Sequence, residues 1–164
     1  MNALFQQIGV AAENGLYFLA LAGALMIPDI CGALESQDGT ASGARYRAWF
    51  DQNVAAAQGG FMDGDTCYKF RCSLLHQGTT QHPKGQYTRI LFVEPGPGPI
   101  LHMNIMNDAL NIDAREFCRD LVRAALLWRA RVAGTEPYET NVRNFVTRYP
   151  NGLQPYIVGI PVIS

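Results

Sequence analysis

The run LYFLALAGALMI, Leu16 to Ile27, carries no charged side chain. A segment that is apolar all round has no face to give to water, so it must be enclosed. It holds twelve residues, and a bilayer span needs about 20. A secretory leader also places positive charge ahead of its apolar core, whereas the first base here is Arg45. The expectation is the buried central helix of a cytoplasmic helical bundle with no membrane partner. Pro28 follows at once and is expected to break the helix. PDICGALE would then open a second, short helix with Asp29 near its positive end.

The other segments arrange themselves around this one. Residues 3–13 have helical spacing through Leu4, Ile8, Ala11 and Ala12. SQDGTASG reads as a loop, and ARYRAWFDQNVAAA resumes a helix with Tyr46, Trp49, Phe50 and Val54 on one side. Asp63 or Asp65 is placed to cap the next helix, which Gly78 stops. The period then changes. YTRILFV and ILHMNIM flank EPGPGP, which predicts an inserted hairpin at about 87–106. NIDAREFCRDLVRAALLWRARV is the clearest helix: Asp113 and Glu116 have capping-box spacing, and Phe117, Leu121, Ala124 or Ala125, Trp128 and Val132 form its stripe. A shorter helix is expected over 137–148. The reading is a mainly α bundle domain over 1–148 and an irregular, extended apolar tail over 149–164 that packs on the bundle or on a partner.

Charge is unevenly divided. Residues 1–66 hold seven acids and two bases, and residues 67–164 hold seven acids and eleven bases. Eleven of the thirteen bases are arginine, the base whose planar fork suits phosphate oxygens. The four cysteines, Cys31, Cys67, Cys72 and Cys118, form no CxxC pair and lie in apolar helical patterns, as buried thiols do.

One stretch departs from its own pattern. In CYKFRCSLLHQG, Cys67 to Gly78, a wheel with Cys67 at zero sets Phe70, Leu74, Leu75 and Tyr68 on an apolar arc. Arg71 falls at about 40°, inside it. An unpaired buried guanidinium costs several kcal/mol, so Arg71 must meet an acid, a second subunit or a phosphate. Asp29, Glu35 and Asp51 are the candidate acids. His76 falls near 180° in the last turn, where the helix dipole favours its charged form. On a regular helix the two are about 140° apart, so joint chemistry is expected only through a frayed last turn or a second subunit.

Arg71-x4-His76, late in a bundle helix, resembles the R-x(4–6)-H motif of the HEPN superfamily, and the all-α layout over about 3–133 is similar too. The resemblance implies a metal-independent endoribonuclease that acts on RNA as a homodimer, its composite cleft formed by two facing motif helices. Toxin–antitoxin or defence settings go with it, and an antitoxin or other protein partner. Carried over, Arg71 would hold the scissile phosphate and His76 would move a proton at the ribose 2′-hydroxyl or the leaving oxygen. Such chemistry needs a proton shuttle and a fixed positive charge. Cys72 stands where the family usually carries a polar residue such as Asn or Asp. This leaves room for the alternative, a non-catalytic HEPN-like module that binds a partner protein or a nucleotide.

Around this pair, Lys69 and Ser73 on the same helix and Arg115 and Arg119 on the long helix are candidate RNA contacts. Cys72 and His76 have an i, i+4 spacing that can hold a metal, but no second close pair completes a zinc set, so no metal or other cofactor is expected. EPGPGP lacks the Gly-Lys-Ser/Thr end of a phosphate loop.

Overall fold

The structure is a computed structural model that describes residues 1–98 and 100–164. It is mainly α, with six helices: α1 (Asn2–Glu13), α2 (Tyr17–Leu34), α3 (Gly43–Asn53), α4 (Gly64–Gln77), α5 (Ala114–Val132) and α6 (Glu136–Val142). α2 is central, but it is not enclosed as its apolar run leads one to expect: Leu16, Phe18, Leu19 and Met26 stay exposed. It packs against the other five helices and buries Ala20, Leu21, Ala24, Leu25, Ile27 and Cys31.

Pro28 does not break α2, which runs on to Leu34. Proline removes one helical hydrogen bond and crowds the preceding turn, at about 3 kcal/mol. Burial on both sides, by Ala24, Leu25 and Ile27 before it and Cys31 and Leu34 after it, outweighs that cost. At 18 residues α2 reaches the length and apolar character of a membrane span, and half of it is buried inside the bundle. Asp29 therefore sits in a helix interior and not at a helix start.

The start and stop signals of α4 and α5 act as their chemistry dictates. Asp63 accepts from the Thr66 N–H, and Asp113 accepts from the Arg115 and Glu116 N–H groups. Gly78 ends α4 with φ +65°. Phe117, Leu121, Ala124, Ala125, Trp128 and Val132 are all buried. Trp128 lies between Trp49 and Tyr138, with ring centroids 6.1 and 5.7 Å away. Each such ring contributes about 1.5–3 kcal/mol by leaving water.

The hairpin expected at 87–106 does not form. β1 (Arg89–Val93) pairs in parallel with β3 (Ala109–Asp113), and β2 (Asn104–Met106) pairs antiparallel with β3, which lies between them. The tight turn is Asn107-Asp108, both in the left-handed region at φ 50° and 58°, as a two-residue hairpin link needs. The prolines of EPGPGP cannot donate ladder hydrogen bonds, which disfavours pairing across that segment. Phe92 of β1 stacks on Phe70 of α4 at 5.0 Å and meets Phe117 of α5 at 5.4 Å, docking the sheet on the bundle.

Residues 147–164 do not run extended. They double back as one twisted hairpin: β4 (Arg148–Tyr149) pairs with β7 (Val162–Ile163), and β5 (Gly152–Leu153) pairs with β6 (Ile157–Val158).

Candidate functional site at the end of α4

α4 buries its first residue, Gly64, and then Thr66, Cys67, Phe70 and Ser73, an arc centred about 60° from Cys67 on the side away from Arg71. Arg71 is therefore at the edge of the core and not in its middle. Its side chain is 21% exposed and that of Asp29 is 17% exposed. The arc is rotated because Leu74 and Leu75, read as core, are only half-buried, while Ser73, read as a candidate RNA contact, is fully buried.

Three acids were open as partners of Arg71, and the fold gives each a separate role. Asp29 takes the guanidinium: Nε donates to its Oδ2 over 2.9 Å, and Nη2 reaches the same oxygen at 2.7 Å. Glu35 accepts from the Trp128 indole N–H at 2.8 Å. Asp51 accepts from the Gly64 N–H at 2.6 Å. Asp29 occupies one edge of the guanidinium and leaves Nη1 to turn outward.

That nitrogen donates to His76 Nε2 at 2.9 Å and lies 3.9 Å from Cys72 Sγ. The wheel places the two residues on different faces, yet one chain brings them into contact without a second subunit. The reason is reach. The arginine stem is long enough to follow the last turn, and Asp29 holds its root in place. An arginine can only donate, so Nε2 is the acceptor in this contact. His76 is exposed.

The electrostatics fit a fixed cation. Burial opposes the Arg71 charge, and the Asp29 carboxylate and the Cys72 sulfur together more than offset it, so its pKa is raised. Burial pushes the Asp29 carboxyl above its usual range, against the pull of Arg71. The Tyr68 ring lies beside the pair, with the guanidinium carbon of Arg47 4.2 Å from its centroid and that of Arg71 6.0 Å away. Arg47 Nε and Lys69 Nζ share Asp65 at 2.8 and 2.6 Å. That ion cluster is centred on Asp65 in the first turn of α4, and the Arg71–Asp29 pair lies further along the helix.

The other candidate RNA contacts divide. Lys69 is held by Asp65 and is 27% exposed, but it leaves α4 about 160° from Arg71. Ser73 is fully buried with its hydroxyl unpartnered, so it cannot touch a ligand at the surface. Arg115 and Arg119 bind Glu13 at 3.6 and 2.8 Å, beside the start of α2. Asp29 is about 18 Å further along that helix. The structure does not bring them to Arg71. Arg47 and Tyr68 escape sequence reasoning, since nothing in the chain links a residue on α3 to one on α4 before both helices are packed. Among the described residues, no three His, Cys, Asp or Glu side chains gather as a metal set. Comparison with known proteins returns no match: no family model, no curated protein and no solved structure is significantly similar to this chain.

Proposed function

We propose that this protein is a HEPN-like, metal-independent endoribonuclease that works as a homodimer, with Arg71 and His76 as its catalytic residues. The observation that carries the reading is the 2.9 Å approach of Arg71 Nη1 to His76 Nε2 at an exposed helix end. A fixed cation and a proton acceptor are the two groups that cleavage through a neighbouring hydroxyl needs. An incoming phosphate draws Nη1 from the imidazole to a non-bridging oxygen. Nε2 is thereby freed to take the proton of the ribose 2′-hydroxyl. The 2′-oxygen bonds to phosphorus, the bond to the 5′-oxygen breaks, and that oxygen leaves with a proton. Across a two-fold axis, one imidazole serves the attacking oxygen and its symmetry mate the departing one. Arg47, over the same Tyr68 ring, extends the positive surface for a neighbouring phosphate.

The test is incubation of the purified protein with mixed RNA in EDTA. Cleavage that persists, and disappears in both Arg71→Ala and His76→Ala, supports the proposal. Equal cleavage by the two variants defeats it.

The Asp29 clamp favours a second reading, a non-catalytic module that binds a partner protein or nucleotide, with Arg71 holding α4 to α2. It predicts a folded protein that cuts no RNA, and a loss of stability in Arg71→Ala.

A further inference from the structure

Among the exposed apolar surfaces of this chain, two involve α2 and the C-terminal hairpin. The first is a line along α2: Phe18 is 85% exposed, Leu19 67% and Met26 43%. It continues through the half-buried Ile30 and Ala33 past Asp29. The second is the hairpin of residues 147–164, where Tyr156 is 84% exposed, Val158 65% and Ile163 74%. Its strands pair with each other through Thr147–Ser164 and Gly159–Asn151 backbone bonds, and both outer edges are open. An isolated two-stranded hairpin is marginally stable in water at best, and an apolar one with free edges needs a partner surface.

The root of the hairpin is fixed beside the first surface. Asn141 Nδ2 donates to the Leu34 and Ser36 carbonyls at the end of α2, at 3.1 and 2.7 Å. Ile30, Ala33 and Leu34 face Phe145 and Val146 across a groove of about 340 Å³. The hairpin thus leaves the bundle at the C-terminal end of the α2 line.

We infer that residues 147–164 are an exchange arm, laid by each subunit along the α2 line of a second copy of this chain. One arm and one line per chain close under two-fold symmetry. The six exposed side chains named above offer roughly 800 Å² per chain, the area one partner contributes to a standard interface. Since Asp29 lies on the same helix stretch as the covered line, the arm also forms one wall beside the Arg71–His76 pair. The inference rests on the dimer of the proposed function and makes its form specific.

The test is sedimentation equilibrium at micromolar concentration, with the full chain and no RNA. The wild type is expected to be a dimer. Ile163→Glu in the arm and Leu19→Glu in the line should each weaken it at least about a hundredfold. Both positions are exposed, so folding is retained and circular dichroism checks it. Mixing the two variants should restore dimers, because the intact arm of one meets the intact line of the other. A monomeric wild type overturns the inference, including one that cosediments with phosphatidylcholine vesicles through α2. So do variants that remain fully dimeric, or a mixture that stays monomeric. Sedimentation reads the arm without any cleavage: an exchanged dimer that cuts no RNA supports the arm and fails the enzyme, and an active dimer with dispensable arms does the reverse.

Discussion

Arg71 Nη1 lies 2.9 Å from His76 Nε2, although the two residues leave α4 about 140° apart. The contact exists because Asp29 takes the other edge of the guanidinium. The two partners should therefore respond differently to truncation. His76 is exposed, so His76→Ala should change folding stability by no more than about 0.5 kcal/mol. Arg71→Ala strands a half-buried Asp29 and should cost about 1–3 kcal/mol. Urea denaturation followed by circular dichroism measures both, and equal losses would contradict the clamp.

Asp29 makes a pH prediction with a definite sign. Burial holds its folded pKa above the ordinary value of 3.8. Between about pH 4 and that raised pKa, the folded state binds the proton more readily than the unfolded state. Its contribution to stability therefore falls as pH rises through this window. The stability difference between wild type and Asp29→Asn should decline with rising pH there and flatten above it. Denaturation curves of both proteins at several pH values test this, and a difference that grows with pH would refute it.

The four thiols should separate cleanly. Burial pushes Cys67 and Cys118 up to about 12 and Cys31 well above its usual value. Cys72 alone is half-buried, beside Arg71. A disulfide reagent should modify one thiol per native chain, and Cys72→Ser should abolish that reaction. All four should react in denaturant. On the proposed mechanism, a bulky adduct at Cys72 should also block cleavage.

Gly64 fixes the approach of α4 to α3. A Cβ at this position would lie 2.4 Å from the Arg47 carbonyl oxygen, which is rigid backbone. Gly64→Ala should cost at least about 2 kcal/mol and disturb the Asp51 bond to the Gly64 N–H. A melting temperature unchanged from wild type would show that the two helices are free to separate.

Much of this architecture is legible in the sequence where local signals are strong. Asp63, Asp113 and Gly78 act at the helix ends they mark, and the Phe117–Val132 stripe is buried as its spacing requires. Pro28 misleads because its local cost is real but smaller than the burial gained on both sides of it. The strand Ala109–Asp113 is hidden because it runs directly into the α5 cap, and its parallel pairing with Arg89–Val93 is non-local. At the site, the Arg71–His76 spacing is visible in the chain. The choice of Asp29 over Glu35 and Asp51 is not, because it depends on how α2 and α4 pack. The wheel also misplaced Arg71, since it counted the half-buried Leu74 and Leu75 as core and took no account of the fully buried Ser73.

The central claim, metal-free cleavage through the ribose 2′-hydroxyl at Arg71 and His76, is tested most directly with one oligonucleotide in two forms. After the cut position is mapped on all-ribose RNA in EDTA, the same strand is made with a 2′-deoxy residue on the 5′ side of the cut. The account predicts rapid cleavage of the ribose strand to a 2′,3′-cyclic phosphate end, no cleavage of the deoxy strand at that position, and none of either by His76→Ala. Equal cleavage of both strands, or a folded dimer that cuts no RNA, would contradict it.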